Sequence, residues 1–594
     1  MSDSSNKLSQ FWEELKRRNV LRSLAIYAGS AFVFLEAATI IFPRWGFPDW
    51  TIDLVLYLLI LGVFITFIVS WIFDITPQGV QKTKPLEEIT ETEKPADSKV
   101  WKAATYISLV IIVALIILNL VPLSKTIKTG DIQSLIILPF DNFTGDDSLD
   151  YFVAGMHASL INDVGRLGGL RVTCKTSSNV YKDVDMTASE IAKELNVDAV
   201  METSVMCLGD TICVQYKLVD AKGEERQIYI ADIKEEKSKI LGLYNRITRQ
   251  IANEIKIKVS PAEEQLLDKS RTVDKKAYDE YLKARVYFED MHKESMIKAL
   301  EYLNNAIEKE PDWAPLYAGL AQVWLGLQQM GYELPSVASP KIYEYLNKAI
   351  ELDPDLPDSH YLSGLIAHVM EWDWEKSEKE FLKALAINPN DALSRIFYAQ
   401  LLCVLQRNNE ASEQGKLAMS LDPLNPMMKA WYGSLLLGIG DCMTPLSYGE
   451  EIVALDPESY MGNNLIEGAA YRCNEYGKVI QAVRYDLPFL IEDDAFNEII
   501  RIYNENGLAS AYKVIVERLE QFAENYSISF MDMSLRYIIA DQPEKAMDWI
   551  EKGYEMHDPQ MTYIATKMYH LDPLFTNSRF INIVEKMNLP LPKD

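Results

Sequence analysis

Cysteine is scarce in this chain of 594 residues: there are six, and none forms a C-x-x-C pair. No histidine lies at a zinc-ligand spacing from Cys174, Cys207, Cys213, Cys403, Cys442 or Cys473, which argues against a structural metal site. H-E-x-x-H, G-x-S-x-G and Walker motifs are also missing. "GRLGGL", with Gly165, Gly168 and Gly169, lacks the G-x-G-x-x-G spacing and follows a helical pattern, so it reads as a loop and not as a phosphate cradle. The chain is therefore expected to be non-enzymatic and to need no cofactor. Positive charge is the minority: 59 basic against 86 acidic residues leave a net charge of −27. With no basic, aromatic-interleaved patch, nucleic acid is disfavoured as a partner, and the acidity serves solubility.

Long apolar runs are present. Crossing a bilayer takes about 20 apolar residues. Three segments qualify: Ser23 to Phe42, interrupted only by Glu36, then Leu54 to Phe73, and Ala103 to Val121. "PRWGFPDW" between the first two supplies Trp45, Phe47 and Trp50 to the headgroup belt. Lys7, Lys16, Arg17, Arg18 and Arg22 precede the first span, and Lys82, Lys84, Lys94, Lys99 and Lys102 precede the third. Arg44 alone lies between spans one and two, and Lys125 and Lys128 follow span three. The positive-inside rule then makes residues 1–22 and the linker 74–102 cytoplasmic and the bulk of the chain extracytoplasmic. Phe11, Trp12 and Leu15 can lie along one side of a short amphipathic helix in the stub. Glu36 marks either a proton or ligand path or a protonated or helix-facing carboxyl.

From Ser134 the pattern becomes β-α-β-α-β-β-β-α, an α/β sandwich over 132–260. "SLIILPF" opens it, a helix follows from about Leu149 to Val164, "ASEIAKEL" is a short amphipathic helix, and Ile240 to Ile257 closes it. His157 is its only histidine, with no nucleophile beside it in sequence. Cys207 and Cys213 flank a Gly209-Asp210 turn. A two-residue loop would put them on opposite faces, whereas a three-residue loop would put them opposite each other, within disulfide reach in an oxidising compartment.

Leu138-Pro139-Phe140, Asn142, Asp146, Tyr151-Phe152, Gly155 and the strand from Gly169 to Ser178 make this region resemble the TolB amino-terminal-like domain of bacterial inner-membrane proteins. "FWEELKRRNVLR" and "WIFDITPQGV" resemble the membrane module of the same proteins. The resemblance implies a tetratricopeptide array after this domain. It also implies a bacterial inner-membrane location with the bulk periplasmic. Relatives often carry a winged helix or a class III nucleotide cyclase on the cytoplasmic side.

The C-terminal half, 274–594, repeats. Pro311, Pro354, Pro389, Pro423 and Pro457 are spaced by 43, 35, 34 and 34 residues, and Ala306, Ala349, Ala384 and Ala418 each precede a proline by five. A 34-residue helical pair ending in proline is the tetratricopeptide signature. The small residues allow close helix approach, with Leu303, Leu346 and Phe381 filling the gaps. "QQMGYELPSVASPK" accounts for the long first spacing as a loop within one repeat. After Pro457 the signature degrades, leaving one further helical pair and a capping segment.

Tetratricopeptide stacks hold peptides along their first helices. Counting from the prolines assigns Gln322, Leu325, Leu362, Ile366, Met370, Ile396, Gln400, Cys403, Met427 and Ser434 to a groove, with packing between repeats as the alternative role. Lacking Lys or Arg, the row suits an apolar segment with a few amide contacts and not a carboxylate anchor. The expected function is a membrane-anchored scaffold for a protein or peptide in the periplasm. The alternative is a transmembrane receptor. Residues 1–22 and 74–102 are too few for an effector domain, which needs about 50 residues, so a receptor would require a separate cytoplasmic regulator.

Overall fold

The computed structural model describes residues 15, 20–44, 50–76, 79–82 and 131–591, apart from 223–224, 270, 291, 488–492 and 524–528. Two compact units divide the chain, Met1–Thr126 and Ile127–Asp594.

In the first unit α1 (Val20–Arg44) and α2 (Trp50–Ile72) lie side by side, and Tyr27 Oη donates to the Leu59 carbonyl at 2.8 Å. Among the described residues one helix is long and apolar enough to cross a membrane, Leu54–Ile72, with 19 residues and a mean hydropathy of 2.6. The apolar stretch of α1, Ile26–Thr39, is shorter. The expected span from Ser23 to Phe42 is thus a helix, with Glu36 exposed on it. The third expected span, Ala103 to Val121, lies outside the described residues. The stretch read as the start of a linker is a hairpin, β1 (Phe73–Thr76) paired antiparallel with β2 (Gly79–Lys82).

The second unit opens with an α/β domain. Its strands are β3 (Ser134–Ile137), β4 (Asp141–Asn142), β5 (Arg171–Val172), β6 (Ala199–Leu208), β7 (Thr211–Asp220) and β8 (Arg226–Glu236), in the order β5-β3-β6-β7-β8 with β4 beside β6. β3 runs parallel to both neighbours, and β6, β7 and β8 form an antiparallel meander. All four residues of β3 are buried, as a central parallel strand covered on both faces requires. Leu135 and Ile137 join the core formed with α3 (Asp150–Val164), whereas Ile136 joins Ile191, Ala192 and Leu195 on the other face. Between α3 and β6 come α4 (Lys175–Asn179) and α5 (Ala188–Leu195). α5 starts at a reciprocal Thr187–Glu190 capping box and stops at Asn196, whose φ of 51° is the left-handed value that asparagine tolerates. α6 (Ile240–Glu254) and α7 (Pro261–Asp268) complete the domain, and α6 shares the core of α3.

Eight helix pairs follow among the described residues. The first four are α8–α9 (Lys275–Glu289, Lys293–Ile307), α10–α11 (Ala314–Gln329, Pro335–Leu352), α12–α13 (Pro357–Ile366, Trp374–Ile387) and α14–α15 (Ala392–Val404, Asn408–Leu421). The next four are α16–α17 (Pro426–Gly438, Met443–Leu455), α18–α19 (Tyr460–Arg472, Tyr476–Asp486), α20–α21 (Asp493–Asn506, Leu508–Ala523) and α22–α23 (Phe530–Ile539, Pro543–Glu555). A last helix, α24 (Ser578–Lys586), ends the fold. Each of the five repeat prolines stands between one pair and the next, where a chain leaving a helix cannot continue it. Ala306, Ala349, Ala384 and Ala418 are all fully buried, and at Gly364 a Cβ would come within 2.9 Å of the Phe381 ring. Small residues are the condition for this spacing of helices. The C-terminal region is a helical repeat of the tetratricopeptide type.

Two expectations need correction. The insertion "QQMGYELPSVASPK" is not a loop throughout: Gly331 turns the chain at a φ of 70°, and Pro335 then starts α11, an 18-residue helix. Proline at the first helical position costs no hydrogen bond, so the extra residues lengthen a helix. Beyond Pro457 there are three pairs and not one.

Cys207 and Cys213 are paired across the β6–β7 turn and joined in a disulfide with Cα atoms 4.9 Å apart, the three-residue-loop geometry. Cys442, just before α17, and Cys473, just after α18, form a second disulfide with Cα atoms 5.8 Å apart. Stabilisation by a cross-link grows with the logarithm of the loop closed. With separations of 31 and 6 residues, Cys442→Ser is expected to cost about 4 kcal/mol and Cys207→Ser about 2 kcal/mol. Denaturant titration with and without reductant measures both.

Candidate protein-binding face

The first helices of successive repeats meet one another, α10 with α12, α12 with α14, α14 with α16 and α16 with α18, so they form a continuous layer. A π-helical turn, Ala367–Glu371, prolongs α12 and ends at Trp372 with a φ of 54°. Most of the residues expected to line a groove, or else to pack between repeats, lie buried within this layer. Leu325, Leu362, Ile366, Ile396, Gln400 and Cys403 are at most 3% exposed. Gln322, Met370 and Ser434 are half-buried, which leaves Met427 as the one exposed member of the set. Burial pushes the Cys403 thiol up to about 12, so it is inert as a nucleophile.

The chain itself covers this layer. Past α23, residues 559–575 run across the ends of four first helices and make one or more bonds at each. Thr562 Oγ1 donates to the His368 carbonyl at 3.2 Å, and Tyr563 Oη to Gln400 Oε1 at 2.7 Å. Gln406 Nε2 donates to the Ala565 carbonyl at 2.7 Å, and the Lys567 amide to the Gly438 carbonyl at 3.1 Å. Arg472 Nη2 reaches the Tyr569 carbonyl at 2.6 Å and Asp572 at 2.9 Å. The return is completed by Trp374 Nε1, which donates to the Met587 carbonyl at 2.8 Å. The occupant is largely apolar, with amide contacts from Gln400 and Gln406. Its identity as the chain's own C-terminal segment had no local signal in the sequence.

His368 lies beneath this segment, fully buried between the edges of Trp374 and Tyr563, with both ring nitrogens unpartnered. Burial lowers its pKa from 6.5 to about 3. The unfolded chain therefore binds a proton at this residue below about pH 6.5 that the folded chain refuses until about pH 3, and stability is lost as the pH falls through that window. His368→Phe should be neutral or stabilising at pH 7, because it removes two unsatisfied nitrogens. Its advantage over the wild type should grow by about 2 kcal/mol between pH 7 and pH 5, read from paired urea titrations.

The α/β domain is fastened to the same repeats. Tyr278 of α8 donates to or accepts from Tyr244 of α6 at 2.9 Å, and Tyr151 donates to Asp279 at 2.6 Å. Farther along, Asp422 accepts from the Ser177 amide at 3.0 Å and its hydroxyl at 2.6 Å, and Asn390 bonds the main chain at Gly165, Leu170 and Val172. The turns that open α14 and α16 thus grip β5, the loop before it and α4. His157 is buried within the α/β domain and bonds the Ile137 carbonyl at 2.8 Å. Its pKa is lowered to about 4, chiefly by burial, which describes a structural imidazole.

No protein-family model matches the chain. Over 192 residues it is 27% identical to a protein of Rhizobium meliloti (strain 1021) that bears an adenylate cyclase name, a match covering 32% of each. The chain thus spans about a third of the length of that curated relative. Among solved structures it is similar to PilW, a type IV pilus biogenesis factor, at 13% identity over 37% of this chain and 98% of that one, with a TM-score of 0.30. The Pseudomonas aeruginosa protein PilF is similar at 18% identity, over 42% and 94%, with a TM-score of 0.24. YrrB, a tetratricopeptide protein with an unusual peptide-binding site, is similar at 16%, over 34% and 97%, also with a TM-score of 0.24.

Proposed function

We propose that this chain is a non-enzymatic interaction scaffold of the bacterial inner membrane. Its N-terminal spans anchor it, and its α/β domain, read as TolB amino-terminal-like, and its repeats lie in the periplasm and recognise a protein or peptide. The observation that carries this reading is the seating of residues 559–575. A layer that bonds a segment of 3-10 turns at four successive first helices is a layer with the chemistry to hold polypeptide. A partner on this layer would compete with the resident segment. Two disulfides support an oxidising compartment, and the basic residues flanking the apolar runs support the orientation.

The cyclase-named relative favours a second reading, a receptor that signals inward through a separate cytoplasmic partner. One experiment addresses both. Photo-cross-linking is carried out in intact membranes from a probe at Met427, followed by purification. Envelope proteins alone support the scaffold, and a stoichiometric cytoplasmic regulator supports the receptor. If protease added outside intact spheroplasts leaves the repeats untouched, the proposed topology is wrong and both readings fall.

A further inference from the structure

A cleft of about 510 Å³ opens where the α/β domain meets the repeats. Of the residues lining it four are basic, Arg171, Lys256, Lys258 and Arg395, and none is acidic, although acidic residues outnumber basic ones 86 to 59 along the chain. Three different segments supply these cations: β5, the stretch after α6, and α14 of the repeats. No ion pair within 4.0 Å is formed by any of the four among the described residues, although Asp198 acts on Arg171 and Asp391 on Arg395 from farther off. The two guanidiniums are held by neutral groups instead. Arg395 donates to the Pro389 carbonyl at 2.8 and 2.6 Å and to Gln414 Oε1 at 2.8 Å, while Arg171 donates to the Ser420 carbonyl at 2.9 Å and to that of Asn196.

Neutral carbonyls fix the orientation of a guanidinium without cancelling its charge. Two pre-oriented, partly desolvated guanidiniums and two ammonium groups converging on one cleft form a receptor for an oxyanion. Burial disfavours the charge on both arginines, offset in part by Asp198 near Arg171 and by Asp391 near Arg395, so an anion in the cleft lowers a remaining cost of burial. The rest of the wall is largely aliphatic, with Leu417 and Ile257 among its members, so the body of the ligand meets apolar surface.

We propose that this cleft binds a small water-soluble organic anion, with phosphate or carboxylate groups directed at Arg171, Arg395, Lys256 and Lys258 and an aliphatic body against the opposite wall. Because the site needs both the α/β domain and the repeats, the anion strengthens their junction. This site is independent of the proposed partner-binding layer, and either can fail without the other.

The test uses the full chain in zwitterionic nanodiscs, titrated calorimetrically with pyrophosphate and with citrate at low ionic strength. At least one of the two anions is expected to bind more tightly than about 1 mM and to raise the unfolding temperature. Lys256→Gln/Lys258→Gln changes two exposed side chains and should weaken binding about tenfold or more while leaving the ligand-free unfolding temperature unchanged. Arg395→Lys keeps the charge and loses the fork, and should weaken the same anion. A remote pair, Lys298→Gln/Lys309→Gln, should bind like the wild type. The proposal is overturned if neither anion binds, if the Lys256/Lys258 variant binds undiminished, or if the remote pair weakens binding equally.

Discussion

A chain ending at Asp558 is expected to lose cooperative folding of its central repeats, not merely its last helix. The removed segment carries Met561, Ile564, Leu571, Leu574, Phe580 and Val584, each no more than 1% exposed. Burying a large apolar side chain contributes roughly 1.5–3 kcal/mol, so six of them rival the 5–15 kcal/mol that holds a typical domain together. The truncation also uncovers what the segment covers, including the His368 ring beneath Tyr563 and the helix end at Gly438 beside Met568, within the same apolar core. Thermal unfolding should become broad and early, and an apolar fluorescent dye should bind at temperatures where the full chain excludes it. A peptide of residues 559–591 added in trans should restore the transition and exclude the dye. An unchanged melting curve for the truncated chain would mean that the segment is an ornament on a self-sufficient stack. A milder variant, Arg472→Ala, removes the bonds to Tyr569 and Asp572 while sparing the apolar anchors. It should raise hydrogen exchange within 565–575 without a comparable change in the α/β domain.

The repeat half was readable to the extent that its physics is local. Small residues recur because neighbouring helices touch, and prolines recur because each pair must stop, so both leave a period in the sequence. The α/β domain was readable for a similar reason. "ASEIAKEL" carries its own apolar stripe, with the capping Thr187 directly before it, and the observed helix is Ala188–Leu195. What escaped depends on contacts between distant residues. α20–α21 has no proline at its close and leaves no such mark in the sequence. Cys442 and Cys473 lie 31 residues apart, close to one repeat length, and a stack with a 34-residue period brings such positions together. That arithmetic could have paired them. Nothing near Gln400 announces that Tyr563, more than 150 positions later, returns to bond it.

Arg536→Ala is expected to be among the most damaging single substitutions outside the apolar core. Arg536 is 3% exposed on α22, with Nη1 at 3.5 Å from Asp532 and Nη2 at 3.9 Å from Glu467 of α18. Glu467 also accepts from Tyr512 of α21 at 2.6 Å, and Asp558, which opens the returning segment, accepts from the Met531 amide and from Ser529. One cation thus sits among three carboxylates that tie α18, α21, α22 and the C-terminal return together. Removing one partner of a buried ionic group costs about 3–5 kcal/mol, because the remaining charge stays buried without compensation. The loss should also depend on pH. Burial, with Glu467 and Asp558 nearby, raises the pKa of Asp532 to about 7. A carboxyl whose folded pKa exceeds its unfolded value stabilises the fold in its protonated form, and that contribution is lost as the pH rises through about 7. The Arg536→Ala chain should therefore be more severely destabilised at pH 8 than at pH 6. Asp532→Asn, which mimics the protonated acid, should recover part of the loss at pH 8 and less at pH 6. Urea titrations of the two single variants and the double variant at both pH values close the cycle. Equal losses at pH 6 and pH 8, with no rescue by Asp532→Asn, would assign the role of Arg536 to packing and remove the carboxylate cluster from the account of how the C-terminal segment is held.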